Sequence, residues 1–258
     1  MIDVHPNAII HPNAQLADGV SIGPGCVVGN GVEIGQGTWI GPYVVIQGPT
    51  KIGKNNKIFQ FSSIGDAPQD LTYADEPTCL DIGNDNIIRE YCMINRGTVK
   101  GNGITKIGDN NFLMAYSHVG HDCLLNNNII MTNYSALSGH VIVEHYAIIG
   151  AYAAVHQFCR IGAYSFIARA TYVTKDVLPY VLIAGHTTAA CGMNTVGLRR
   201  RGFTSETIDK LRRAYKIIFR KGLTVQQAIA ELELMQDACS EITPLIQALN
   251  SSTRGITR

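Results

Sequence analysis

The chain has 258 residues, 26 of them glycine against one tryptophan and seven phenylalanines. That length makes one large domain, or one domain with a small appendage, and the glycine content calls for many tight turns. Twenty-one basic and 20 acidic residues leave a net charge of +1, so no field of the whole protein gathers nucleic acid or an anionic membrane. An odd count of seven cysteines, in a chain opening without a basic and apolar leader, argues against a disulfide framework and export and points to the cytoplasm. Apolar runs such as 180–185 are far too short to span a membrane.

From the start of the chain an aliphatic residue recurs every six positions: Val4, Ile10, Leu16, Ile22, Val28, Ile34, Ile40, Ile46, Ile52, Ile58 and Ile64. The phase resumes at Ile82, Ile88 and Ile94, and after one extra residue runs from Ile107 to Val173. Four residues after each aliphatic lies a small or branched residue, such as Val20, Cys26 and Thr38 early, or Ser117, Cys123 and Ala153 later. Two inward positions in six fit neither a helix nor a long alternating strand. The chain turns every six residues, three short strands make a triangular coil, and stacked coils make a mainly β, parallel solenoid with one continuous core. About ten coils, at roughly 4.8 Å each, give a prism on the order of 45 Å long. Cys26, Cys92, Cys123 and Cys159 fall in the small inward slot and read as core fillers, and the many asparagines read as turn residues.

Residues 66–81 place Asp70 and Glu76 where aliphatics are due, which predicts a loop leaving the wall. The added residue between Ile94 and Ile107 predicts a second protrusion. Loops on a rigid scaffold are where binding tends to sit. The phase ends near Asp176, and from Thr204 the period becomes helical. Ile208, Leu211, Ala214, Tyr215, Ile218 and Phe219 share one face, with Gly222 as a stop. Thr224 and Gln227 form a capping box for a second helix. A third, over Ile242 to Leu249, is opened by Ser240, with Pro244 in its first turn. These helices can close the open end of the prism.

His118, His121, His140, His145 and His156 crowd into 39 residues. The 18-residue coil stacks His121 on Gly139 and Gln157, and Asp122 on His140 and Phe158, along one strip of wall. His121 followed by Asp122 suits a general base with an orienting carboxylate, and Gly139 could offer a close backbone N–H to an oxyanion. The same histidines could instead form stacked ladders or a subunit contact, and His118, His121 and His140 could bind zinc. Arg199, Arg200 and Arg201 make a compact cluster better suited to phosphate or carboxylate than to nucleic acid. Lys210, Arg212, Arg213, Lys216, Arg220 and Lys221 on the first helix make a local positive patch for an acidic partner.

Taken with the repeats, the motifs at Pro68–Leu71, His121–Cys123, Gly139–Val141, Val155–Phe158 and Arg200–Phe203 make the chain similar to the UDP-N-acetylglucosamine O-acyltransferase family over essentially its whole length. The resemblance implies a left-handed parallel β-helix over 1–185, a connecting segment over 186–203 with substrate-binding residues, and a helical domain over 204–258. It implies a cytoplasmic homotrimer with active sites between subunits. The implied reaction moves an R-3-hydroxyacyl group from acyl carrier protein to the 3-hydroxyl of UDP-N-acetylglucosamine, the first step of lipid A synthesis. No cofactor or metal is implied beyond the phosphopantetheine thioester of the donor.

Carried over residue by residue, the resemblance makes His121 the general base, Asp122 its orienting partner and Gly139 the oxyanion donor. Asp70, His118, His140, His156, Gln157, Asn194, Arg200 and Arg201 become substrate-binding or carrier-protein residues. Phe166, Ala168 and Arg169 fall in the acyl groove, where the family commonly has smaller residues at 168 and 169. An arginine at 169 either fills the groove, which predicts a donor of ten to twelve carbons, or swings its charged head to water, which leaves room for a longer chain. Thr72, Asn95 and Val196 depart from the family pattern of lysine, histidine and an acidic residue at those positions. Two other readings differ in class. One is a hexapeptide transferase that acetylates a sugar from acetyl-CoA, and the other is a trimeric solenoid that binds nucleotide-sugar or carrier protein without turnover.

Overall fold

The computed structural model describes residues 1–185 and 188–258. The connecting segment expected over 186–203 therefore begins with two residues outside the described ones. Two-residue strands follow one another around three faces of a prism. The first face starts at Asp3–Val4, the second at Ile9–Ile10 and the third at Gln15–Leu16, and each strand pairs in parallel with the one a full turn later. In the pair Ser21–Ile22 the first residue faces out and the second is buried. That alternation over two residues is what the six-residue period encodes. The result is the left-handed parallel β-helix of hexapeptide proteins, followed by α-helices.

Down the first face Ile22, Ile40, Ile58, Ile88, Leu113, Met131, Ile149 and Ile167 are at most 2% exposed. Burying each of these side chains is worth roughly 1.5–3 kcal/mol, which stabilises strands too short to persist alone. The slot four residues on is filled as its residue sizes predict, by Val20, Cys26, Thr38, Ser117, Cys123, Ala153 and Cys159, all buried. Burial pushes the thiols of Cys92 and Cys123 up to about 12, consistent with packing rather than chemistry.

The inner slot also overturns one expectation. Asn55, Asn110 and Asn128 do take the left-handed backbone of turns, but Asn56, Asn86 and Asn111 are buried inside the prism. The Asn86 amide nitrogen donates to Asn56 Oδ1 at 3.0 Å and to the Gly108 carbonyl at 2.9 Å, and the Asn111 N–H donates to Asn86 Oδ1. These side chains form a hydrogen-bonded ladder across three coils, satisfying polar groups that burial would otherwise penalise.

Both predicted protrusions are present. Between Lys57 and Ile87 the coil lengthens to 30 residues, through the loop 67–78. The next coil, from Ile87 to Phe112, takes 25 because of the loop 96–103. Parallel pairing continues across both. Asn95, buried, ties the first loop to the wall by donating to the Ala67 carbonyl at 2.7 Å.

Beyond the last coil, Val181–Ala184 pairs antiparallel with Ala189–Met193. A short helix not foreseen in the sequence, α1 (Thr195–Arg200), carries two of the three clustered arginines. Thr204 caps α2 (Ser205–Arg220), and Gly222 follows it with φ +69°. The Thr224–Gln227 capping box opens α3 (Val225–Gln236) as expected. Ser240 does not cap the last helix, α4 (Thr243–Ser251); its hydroxyl turns to Glu241, and a single 3-10 turn, Ser240–Ile242, leads into α4 with Pro244 in the first turn. The C-terminal segment seals the prism at Asp176, whose carboxylate accepts from Ser252 Oγ at 2.7 Å and from the Arg160 N–H at 2.8 Å. No helix among the described residues is long and apolar enough to cross a membrane.

Candidate active site

His121 sits at the corner where the second face, at His118–Val119, turns into the third, at Leu124–Leu125. Its Nδ1 lies 2.8 Å from Asp122 Oδ2. The turn places Asp122, and one and two coils later His140 and Phe158, in the left-handed region. The column stacks as the coil arithmetic predicts: the His140 N–H donates to the His121 carbonyl, and the His140 and Phe158 rings lie face to face at 4.4 Å. His140 meets His121 edge-on at 5.1 Å, with its Nε2 3.7 Å from Asp122 Oδ2.

Gly139 lies under the imidazole. A Cβ added there would come within 2.5 Å of Cε1 and 2.6 Å of Nε2 of His121, so only a hydrogen fits. Among the described residues no acceptor engages the Gly139 N–H, whereas the neighbouring Ser138 and His140 N–H groups are bonded into the wall.

Asp122 is the most constrained member. Its side chain is 2% exposed. The Thr98 N–H donates to Oδ1 at 3.0 Å and Oδ2 at 3.1 Å, and Thr98 Oγ1 donates to Oδ2 at 2.7 Å. A nearly buried carboxylate held by several donors is fixed in orientation, suited to holding one imidazole tautomer. His118, on the second face, and His140 both have pKa values lowered from the ordinary imidazole range by burial, and His118 Nδ1 is buried without a partner among the described residues. His156 Nδ1 lies 3.3 Å from the Tyr172 hydroxyl.

A cleft of about 480 Å³ opens over this strip, lined by Gln69, Asp70, Leu71, Lys100, His121, His140, Gln157 and Phe158. Asp70 is held below the usual carboxylate range by hydrogen bonds from the Thr72 N–H and hydroxyl. Lys100, from the second loop, reaches the Thr72 hydroxyl and lies 3.9 Å from Asp70. It was not singled out in the sequence. It brings a cation beside Thr72 and Asp70, and only the pairing of the two loops reveals this. Thr98 and Thr105 were missed too, since a threonine in a loop or strand carries no signal; the glycines at 97, 101 and 103 are the one local hint of a tightly folded turn.

The remaining predicted residues lie elsewhere on the prism. Asn194 caps α1 by accepting from the Gly197 N–H and donates to the Tyr164 carbonyl. Arg200 is exposed, and the Arg201 guanidinium lies 4.6 Å over the Tyr146 ring at the corner between the third and first faces. Phe166 lies on the first face, and Ala168 and Arg169 occupy the turn into the second. The Arg169 side chain is exposed. A single chain thus brings together Asp70, His121, Asp122, Gly139, His140 and Gln157, and leaves Asn194, Arg200, Arg201, Phe166, Ala168 and Arg169 elsewhere. The metal-ligand geometry likewise regroups: atoms of His121, Asp122 and His140 lie within 4.8 Å of one another, whereas His118 is outside that group.

Residues 176–257 match the family model described as UDP-N-acetylglucosamine O-acyltransferase, domain 2, and residues 2–36 and 31–58 match bacterial transferase hexapeptide repeats. The chain is 54% identical over 216 residues to the acyl-(acyl-carrier-protein) UDP-N-acetylglucosamine O-acyltransferase of Saccharophagus degradans, covering 84% of each chain. It is 50% identical to that of Stutzerimonas stutzeri, over 82% of each. Among solved structures, LpxA of Acinetobacter baumannii superposes with a TM-score of 0.97 at 45% identity over 99% of both chains. The Arabidopsis UDP-N-acetylglucosamine acyltransferase gives 0.83 at 35%, over 99% of this chain and 100% of that one. With half or more of its aligned residues identical to the Saccharophagus and Stutzerimonas relatives over more than four fifths of each chain, and with the same fold over nearly the whole length, the chain belongs to the UDP-N-acetylglucosamine O-acyltransferase family.

Proposed function

We propose that the chain transfers an R-3-hydroxyacyl group from the phosphopantetheine thioester of acyl carrier protein to the 3-hydroxyl of UDP-N-acetylglucosamine, the first step of lipid A biosynthesis. The observation that carries this reading is His121, oriented by a buried carboxylate, lining an open cleft and resting on a glycine whose N–H meets no acceptor among the described residues. His121 Nε2 takes the proton of the acceptor hydroxyl as its oxygen attacks the thioester carbonyl. The Nδ1–H donates to Asp122 Oδ2, which fixes the tautomer and steadies the imidazolium. The Gly139 N–H donates to the oxyanion of the tetrahedral intermediate. When the intermediate collapses, the pantetheine thiolate leaves and the imidazolium returns the proton to it.

In this reading Asp70, His118, His140, His156 and Gln157 hold the sugar and the pantetheine arm, with Lys100 as an added cation. Asn194, Arg200 and Arg201 serve the anionic parts of acceptor and donor, and Phe166, Ala168 and Arg169 border the acyl chain. The division of these groups among different corners supports a homotrimer in which one chain's corner completes the next chain's site. The proposed division of labour is a helical wall over 1–185, a substrate-binding connection over 186–203 and a helical domain over 204–258. Its compartment is the cytoplasm.

The test offers the purified protein UDP-N-acetylglucosamine with a series of 3-hydroxyacyl carrier proteins and identifies products by mass. The expected product is the 3-O-(3-hydroxyacyl) nucleotide sugar with free carrier protein; turnover with acetyl-CoA alone would favour the sugar-acetylating reading instead.

A further inference from the structure

The loop 96–103 folds back on itself at Thr98, whose carbonyl accepts from the N–H groups of both Gly101 and Gly103 at 3.1 and 3.0 Å. This closed turn aims the Thr98 N–H and hydroxyl at one target, the Asp122 carboxylate, through three contacts of 2.7–3.1 Å. Thr98 is 2% exposed and the Asp122 side chain equally so. The backbone of the same residue is fixed separately: the Asp122 N–H donates to Thr105 Oγ1 at 2.8 Å, from a threonine fully buried in the third face. Gly101 packs flat against the carboxylate, where a Cβ would collide with Cγ and Oδ1 of Asp122.

The Asp122 carboxylate can rotate about its side-chain torsions, and only Oδ2 meets His121. Oδ2 is also the oxygen that takes the Thr98 hydroxyl, while the Thr98 N–H straddles both oxygens. The loop therefore sets which oxygen faces the imidazole and at what angle. We propose that Thr98 is a positioning residue for the acyl transfer, acting through Asp122 to hold the His121 imidazole in register with the Gly139 N–H. The inference rests on the transferase reading above. Losing the hydroxyl leaves the N–H contacts but frees the carboxylate to tilt, and a charge-assisted hydrogen bond of this kind corresponds to about a 10- to 100-fold effect when it acts on the reacting geometry.

The experiment compares Thr98→Val, Thr98→Ser and Gly101→Ala with the wild type in steady-state turnover of UDP-N-acetylglucosamine and a 3-hydroxyacyl carrier protein, alongside thermal melting. Wild-type turnover tests the underlying reading separately: if it is absent, that reading fails before any variant is compared. Given turnover, Thr98→Val is expected to lower kcat by about 10- to 100-fold with both KM values within twofold, and Thr98→Ser to restore near-wild-type kcat. On an Asp122→Asn background Thr98→Val should add nothing, because the two act as one unit. A Thr98→Val kcat within twofold of wild type, a Thr98→Ser variant as impaired as Thr98→Val, or losses that add fully on the Asp122→Asn background would overturn the assignment. Should Thr98→Val fail to fold, Gly101→Ala decides: a folded variant with reduced kcat supports positioning of Asp122 by this loop, and one with wild-type kcat refutes it.

Discussion

His121 and Asp122 are consecutive, yet their side chains meet at 2.8 Å. In an extended strand neighbours point to opposite sides. Here Asp122 takes φ +59°, and the left-handed corner turns its carboxylate back toward the preceding imidazole. The same turn that lets the chain round the prism brings the imidazole and the carboxylate together.

Replacing His121 by alanine removes the base from the surface strip and leaves the aliphatic ladders intact. The expected outcome is a roughly 10²- to 10⁴-fold loss of turnover, with an unchanged melting temperature and oligomeric state. A variant with near-normal kcat would mean that another group takes the proton.

Stability should depend on pH through His118 and His140. Burial lowers both pKa values from 6.5, so below that pH the unfolded chain binds more protons than the folded one. Their contribution is complete above pH 6.5 and is lost as the pH falls toward the lowered values. Urea midpoints are expected to decline between pH 7.5 and 5.5, and His118→Gln to flatten the decline. A midpoint that rises over this interval would contradict the burial of these imidazoles.

The asparagine ladder predicts a large effect from a residue remote from the chemistry. Asn86→Val removes two donors and the acceptor for the Asn111 N–H. Leaving buried polar groups without partners costs about 1–3 kcal/mol each, so the variant should lose about 3 kcal/mol or more. Equilibrium denaturation measures this directly, and a loss under 1 kcal/mol would mean that the inner slot tolerates a dry replacement.

At Arg169 the outcome depends on what faces the corner in the assembly. If the next chain covers it, the arginine borders the acyl tail and shortens the preferred donor to about ten to twelve carbons. Arg169→Gly should then move the preference upward by two or more carbons, since each buried methylene is worth about 0.8 kcal/mol. A donor-length series giving the same optimum for both proteins would remove Arg169 from chain selection.

The wall was legible because its period is local: one aliphatic in six residues reports burial whatever the rest of the chain does, and stacking at 18 residues then places Gly139 under His121 without coordinates. The left-handed corners were less so. Tyr91, Tyr116, Tyr134 and Tyr152 all take positive φ and stack at 4.6–4.9 Å along one edge, although nothing in a tyrosine favours that backbone. Continuous pairing down the prism imposes the corner, and ring stacking offsets part of its cost. Asn56, Asn86 and Asn111 read as turn residues because asparagine usually serves turns; only the stacked coils show that each can satisfy the next inside the core. Thr98 and Lys100 were invisible for a different reason. Their partners, Asp122 and Asp70, lie 24 and 30 residues away, separations that the 18-residue coil does not stack. Sequence alone determined the scaffold and the strip that carries His121. The tertiary structure decided how two irregular loops close over it, because contacts between non-repeating segments depend on where the wall holds their ends.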